Sequence, residues 1–465
     1  MCDDTKKRLQ ASVFRFKRLV ADDTKSRLAE ALPERLLASI VKAECGSYRE
    51  RLYPPLTTLG LFIEQALDAD GTCQDAVARN LSARCARDES PCSLNTGPYC
   101  KARQRLPLPL IEQLLVAVGE RLERAAPAAW RWRHRRVKLL DGTTVSMPDT
   151  TANQAAYPQS GEQRPGLGFP VAQLVGLISL ATGAVLGIAS GSTKGKGSGE
   201  QALFRQLMPQ LETGDIILVD RYHCTYFTLA MLKARGADIL TRQHQMRLTL
   251  PTSIMRQLGN SDHLVRWARP KCPKWMDQKT YDGMPEELVV RQTEIGGRLL
   301  VTTLTDAKTI PPAELDQLYR KRWQIEVDLR SIKSEIGMDI LRGQSPTMVG
   351  KEIAVHLLAY NLIRSLMARA ATLAQVLPRA LSFKATLQLW HAFSQHWRWH
   401  PDQSTDGLMQ SMLQAMSTMK IPHRPNRIEP HAIKRRPTTH AYLTVPRAEA
   451  RAAILRDRNS LKVVP

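Results

Sequence analysis

The segment Asp215-Ile-Ile-Leu-Val-Asp220 constrains the fold more than any other stretch of the chain. Four consecutive apolar residues leave no polar face, so as a strand the segment must be covered on both sides. Such a strand belongs inside a sheet flanked by helices, an α/β arrangement. Neighbouring stretches agree. Residues 137–145 read as a strand, and 171–180 with 184–189 read as a hairpin turned at Thr182-Gly183. Helical periodicity covers 200–211 and 225–235, and 237–241 reads as another strand.

The rest of the chain is organised around this core. Residues 1–135 carry apolar positions at helical spacing, around 59–68 and 108–122 for example. Two short segments beginning at Gln74 and Thr96 resemble the paired helices of a helix-turn-helix reader, and a plain helical bundle with a basic face fits them equally. The core is expected in two parts, 136–241 and 298–345. Between them, 242–297 reads as a β-rich insertion interrupted by Pro270, Pro273 and Pro285. A strand at 299–304 leads, after Pro311-Pro312, into a long helix over 313–336. Residues 346–420 read as apolar helices, candidates for a dimer contact, and 421–465 as a basic tail, partly disordered or lying along a polyanion.

Charge narrows the choice of partner. The formal net charge is +22, which calls for a polyanion, and nucleic acid leads. The stretch Trp130-Arg-Trp-Arg-His-Arg-Arg-Val-Lys alternates aromatic and cationic groups, as phosphate contact with some stacking would require. No apolar run approaches a membrane span, and the start Met1-Cys2-Asp3-Asp4 does not resemble a secretory signal. Eight cysteines lie at spacings that fit no zinc motif, so reduced thiols are expected. The loop Gly191-Ser-Thr-Lys-Gly-Lys-Gly-Ser-Gly199 lacks phosphate-loop spacing and reads as a flexible basic loop.

The chemistry concentrates on the helix beginning Tyr319-Arg-Lys-Arg-Trp-Gln-Ile-Glu. At about 100° per residue, Tyr319, Arg322, Glu326, Arg330 and Lys333 fall within a sector of roughly 80°. Leu318, Ile325, Leu329, Ile332 and Ile336 form a separate apolar stripe. Alone, Glu326 with Arg322 and Arg330 could be surface ion pairing. Two further acids, Asp141 and Asp220, close apolar strands and can point into the crevice at strand ends, or else cap a following turn. Three carboxylates of this kind suit two Mg²⁺ ions, with Mn²⁺ substituting, which promote in-line phosphoryl transfer from about 4 Å apart.

The pattern Y-x2-R-x3-E-x6-K, met in full by Tyr319, Arg322, Glu326 and Lys333, resembles the signature of the insertion-sequence-four family of DDE transposases. Leu140-Asp141-Gly-Thr-Thr and Gly214-Asp-Ile-Ile-Leu-Val-Asp220-Arg-Tyr-His look like that family's two other acidic motifs. The resemblance, which runs from about Arg136 to Lys333, implies an RNase H-like core with a β-rich insertion, in a bacterial, cytoplasmic, nucleoid-associated protein. It implies a homodimer that binds terminal inverted repeats and performs cut-and-paste transposition into target DNA through a hairpin intermediate. Asp141, Asp220 and Glu326 would then bind the metal ions. Tyr319, Arg322, Arg330 and Lys333 would hold phosphates, and Trp323 could stack on an end base. One departure stands out: some relatives carry a tryptophan on the strand before this helix, whereas Arg298-Leu-Leu-Val-Thr-Thr-Leu has no aromatic residue. Trp267 or Trp275 of the insertion could replace it. Two other readings stay open, an RNase H-like nuclease that joins no strands and an inactive, transposase-derived DNA-binding protein.

Overall fold

In the computed structural model, residues 33–422 and 442–461 are described, apart from 50, 69, 87–88, 196, 248–250 and 400–404. Much of the expected basic tail therefore lies outside the described residues. A helix, Arg447–Leu461, forms within its described part.

One nine-stranded sheet runs through the molecule in the order β3-β2-β1-β4-β5-β9-β8-β7-β6. Its first half consists of β1 (Val137–Ser146), β2 (Val171–Ser179), β3 (Val185–Ser192), β4 (Ile216–Leu218) and β5 (Asp238–Arg242). The first three are antiparallel neighbours, whereas β4 lies parallel to both β1 and β5. The remaining strands are β6 (Ile254–Gly259), β7 (Asp262–Ala268), β8 (Glu287–Ile295) and β9 (Arg298–Thr302), all antiparallel. The β-rich insertion is thus not a separate sheet. Because β9 pairs with β5, strands β8, β7 and β6 extend the core sheet. The buried Arg291 anchors them, donating to both Asp262 carboxylate oxygens at 2.8 and 2.7 Å and to the Ile310 carbonyl at 2.7 Å.

Strand alternation sorts the core into two layers. Leu139, Ile216, Leu218, Leu240 and Leu300 face one apolar cluster; Leu140, Ile217, Val219, Ile239 and Val301 face the other. The complete burial of Ile216, Ile217, Leu218 and Val219 is what an uninterrupted apolar run requires. Helices Glu200–Leu207 and Tyr226–Ala234 cover the second face. The first is covered by helices from both ends of the described chain, among them Pro55–Leu67, Leu108–Ala125 and Pro346–Leu373. Terminal helices and sheet therefore share one core. Helix Pro346–Leu373 is buried for most of its length.

Three local expectations need correction. The proposed reader helices are present as Cys73–Cys85 and Gly97–Arg105, but the connection between them is longer than the three- or four-residue turn of a helix-turn-helix, about that length in such motifs. The long helix over 313–336 is one helical path of changing pitch. It runs as an α-helix Pro312–Arg320, a 3₁₀ turn Lys321–Trp323, an α-helix Gln324–Arg330 and a π turn Ser331–Glu335. The basic stretch after Trp130 is largely spent on internal ion pairs instead of being free for phosphates. Arg133 meets Glu314, Arg135 meets Asp238, and Arg136 and Lys138 both meet the buried Asp215, at 2.9 and 2.7 Å. Among the described residues all cysteines are free, and no helix is long and apolar enough to cross a membrane.

The expected hairpin turn is present. Gly183 has φ +75, a left-handed conformation that disfavours any Cβ. A Cβ there would also lie 2.8 Å from Arg364 Cζ. Gly183→Ala is therefore expected to lower stability by more than about 1 kcal/mol. Urea denaturation would read this as a lower midpoint; an unchanged midpoint would show that the turn relaxes freely.

Candidate functional site

The site lies where β4 leaves β1. Their parallel pairing ends at Leu139 and Leu218, while β1 continues to Ser146 against β2, with one isolated bridge from Ser146 to Ile340. Asp141 therefore does not end its strand. It is the second residue beyond the last β4 contact, beside the opening made when β4 turns away. Asp220 is the second residue beyond β4, where its Oδ1 accepts from Tyr222 N at 2.9 Å and caps the turn Arg221–His223. Both readings of this acid, turn cap and site carboxylate, are compatible with its position. Its backbone carbonyl is tied to β5 by the Thr241 hydroxyl at 2.8 Å.

Glu326 arrives from the first-face layer. The stripe of Leu318, Ile325, Ile332 and Ile336 is buried, with Leu329 partly so, and this packing sets the rotation of the helix against the sheet. Arg322 then reaches between two elements. Its Nη1 donates to Asp141 Oδ2 at 3.1 Å and its Nη2 to Glu326 Oε1 at 2.9 Å. One guanidinium thus bridges two of the three expected acids across 181 residues of chain to Asp141. Burial works against the Arg322 charge, but Tyr319, Asp141 and Glu326 outweigh it and raise its pKa. Asp141 is pushed above the usual carboxylate range, first by burial, with Asp220 and Glu326 adding repulsion against the opposing Gly142 N–H and Arg322. Asp141 thus feels the charges of both Asp220 and Glu326.

The other expected residues divide. Tyr319 is buried beside Arg322, and burial raises its phenol pKa. Arg330 is exposed and Lys333 half-buried, the latter within the π turn. Trp323 is 55% exposed, so its ring is available for stacking. Trp267 is only 4% exposed under the Arg247 guanidinium, which leaves no face for a base. Trp275 is 45% exposed, though Arg205 covers one face at 3.9 Å from the ring centroid.

Sequence reasoning missed Glu200 and His223. Glu200 begins its helix on the second face of the sheet, and a Cβ at Gly142 would collide with its carboxylate. Its pKa is raised by burial and then by Asp141 and Asp220, with Gln173 opposing. His223 is buried with its pKa lowered to about 4 by burial, against the pull of Asp220. The available signals were an acid opening a helix after a glycine-rich loop and a histidine three residues past Asp220.

Hard carboxylate oxygens at the site are donors of the type that divalent cations such as Mg²⁺ take. Among the described residues, no three His, Cys, Asp or Glu side chains close on one point, and Arg322 supplies the positive charge between Asp141 and Glu326. The residues fit such an ion in donor chemistry.

A family model described as a transposase DDE domain matches residues 132–362, which span all three acids. The chain is also 28% identical over 351 residues to the transposase InsG for insertion sequence element IS4 from Escherichia coli (strain K12), covering 72% of this chain and 76% of that protein. Both findings support an insertion-sequence-four family DDE transposase. The matched region includes the β-strand insertion and stops within helix Pro346–Leu373, so the described fold extends beyond the match at both ends.

Proposed function

We propose that this transposase binds the terminal inverted repeats of its insertion sequence and carries out cut-and-paste transposition at a site formed by Asp141, Asp220 and Glu326. The observation that carries this reading is the Arg322 bridge, which brings a strand acid and a helix acid to one guanidinium. Support for an RNase H-like core comes from the order β3-β2-β1-β4-β5 and its mixture of antiparallel and parallel pairs. Asp141, Asp220 and Glu326 would hold two Mg²⁺ ions, or Mn²⁺ in their place. Such a pair, when bound, activates the attacking oxygen and stabilises the leaving one in an in-line displacement.

The chain's own residues supply position and charge. Arg322, placed between two acids, can transfer one of its donor edges to a scissile phosphate. Tyr319 braces Arg322 from the buried side, whereas Arg330 and Lys333 extend positive charge along the backbone of the bound end. The exposed Trp323 is the aromatic best placed to stack on an end base, Trp267 being enclosed. A hairpin intermediate, a paired-end homodimer and a nucleoid location complete the proposal. Residues 1–135 are assigned to end recognition, with 346–420 as structural support.

The deciding experiment incubates the full chain with Mg²⁺ and a duplex carrying the element's terminal repeat, then with pre-cut ends and a target plasmid. Specific end cleavage, a hairpin product and strand joining are expected. Hydrolysis without joining would replace transposition by a nuclease activity, and specific binding with no nick under any divalent ion would reveal an inactive binder.

A further inference from the structure

The three acids above all belong to the family pattern, and Glu200 does not. It sits on the opposite face of the sheet, at the start of the helix that packs beneath β2 and β3. Its carboxylate lies over Gly142, where any side chain would collide with it. Gly142 is also the residue whose backbone N–H donates to Asp141 Oδ1 at 2.8 Å. On its other side stands His223, in the turn capped by Asp220, with Nε2 4.0 Å from Glu200 Oε2. That imidazole is 2% exposed, and its Nδ1 has no hydrogen-bond partner. Phe204, from the Glu200 helix, packs edge-on against the same ring at 5.4 Å. Residue 142, which has no side chain, and the buried His223 therefore both border one carboxylate.

We propose that Glu200 is a fourth carboxylate of the cation site, turned toward the divalent ion that Asp141 and Asp220 share and positioned by His223. The proposal rests on the three-acid site above and adds to it from the other face of the sheet. In the structure Glu200 is hydrogen-bonded by the neutral Gln173, with His223 Nε2 4.0 Å away, so a cation entering beside Asp141 would be the charge that balances it. The absence of a side chain at Gly142 has the same explanation, because a methyl group there would displace the flexible end of Glu200 and not the sheet.

The test uses Mn²⁺ alone with the full chain, free ion being followed by electron paramagnetic resonance, and thermal melting of the metal-free protein in parallel. Glu200→Gln and Gly142→Ala are both expected to weaken Mn²⁺ binding by about tenfold to a hundredfold. Metal-free Glu200→Gln is expected to melt at the wild-type temperature or above it, since one repelling charge is gone. Asp220→Asn serves as the control for the underlying site. If Asp220→Asn weakens binding while Glu200→Gln leaves it unchanged, the fourth carboxylate is overturned and the three-acid site stands. If Asp220→Asn also leaves binding unchanged, the three-acid site itself falls. A Glu200→Gln protein that melts early, together with Gly142→Ala binding Mn²⁺ like wild type, would assign Glu200 to structure and overturn the proposal.

Discussion

Glu326→Gln is expected to reduce Mg²⁺-dependent cleavage of the terminal repeat by at least about a thousandfold while the chain stays folded. Glutamine keeps the shape of the side chain and one carbonyl oxygen, so the Arg322 Nη2 contact at 2.9 Å can persist. What disappears is the negative charge. A metal-assisted phosphoryl transfer draws several kcal/mol of transition-state stabilisation from its ions, and about 1.36 kcal/mol corresponds to each factor of ten in rate. Loss of one of three charged ligands would remove enough of that stabilisation to exceed three factors of ten. The fold has little stake in the charge, because the helix is held by Ile325, Ile332 and Ile336 in the core and Glu326 itself is only half-buried. Rates on radiolabelled repeat duplexes, with circular dichroism as the folding control, check both halves. Cleavage within about tenfold of wild type, a difference of only about 1.4 kcal/mol, would remove Glu326 from the metal site.

How much of this site could be read from sequence differs from residue to residue. Asp220 was legible because four apolar residues before it must form a buried strand, and a strand in a parallel sheet delivers its end to a crevice. Glu326 was legible because the apolar stripe determines which face of its helix packs, and its neighbours at three and four residues determine what shares the other face. Asp141 was found for a partly mistaken reason. The strand runs on to Ser146, and what stops there is pairing with β4, a matter of the partner's length. Glu200 was invisible to periodicity, since its relation to Asp141 passes through Gly142 and the far face of the sheet. The misread basic stretch after Trp130 has a similar cause. Composition reports cations, but the acids that neutralise Arg133, Arg135, Arg136 and Lys138 come from Glu314, Asp238 and Asp215, far away in sequence. The β-rich insertion was recognised by its strands, yet its merger into the core sheet depends on β9 returning to β5, a non-local pairing.

Asp328→Ala is expected to destabilise the protein by roughly 3–5 kcal/mol, the cost of removing one partner from a buried charge cluster. Asp328 is fully buried two residues beyond Glu326. Its carboxylate receives Arg364 Nη2 at 2.5 Å, Arg379 Nη1 at 3.0 Å and the Tyr360 hydroxyl at 3.3 Å. The two arginines carry the connection onward. Arg364 Nε donates to Tyr360 Oη at 2.7 Å, and Arg379 donates to the Leu180 and Ser179 carbonyls at 2.6 and 2.7 Å. One carboxylate therefore ties the Glu326 helix to helix Pro346–Leu373 and to the β2–β3 turn. With alanine at 328, two guanidiniums would remain in the interior without their counter-charge, and each would draw in water or move outward. The expected signature is a lower urea midpoint at unchanged slope, accompanied by loss of cleavage as Glu326 loses its register. A triple replacement of Asp328, Arg364 and Arg379 by apolar residues of similar volume should recover much of the stability, because no charge is then left unpaired. If Asp328→Ala costs less than about 1 kcal/mol, the range of an exposed pair, the cluster is solvated and does not hold the helix. Recovery of stability without recovery of cleavage in the triple variant would separate the two tasks of this aspartate, supporting the fold and aiming Glu326 at the opening beside β4.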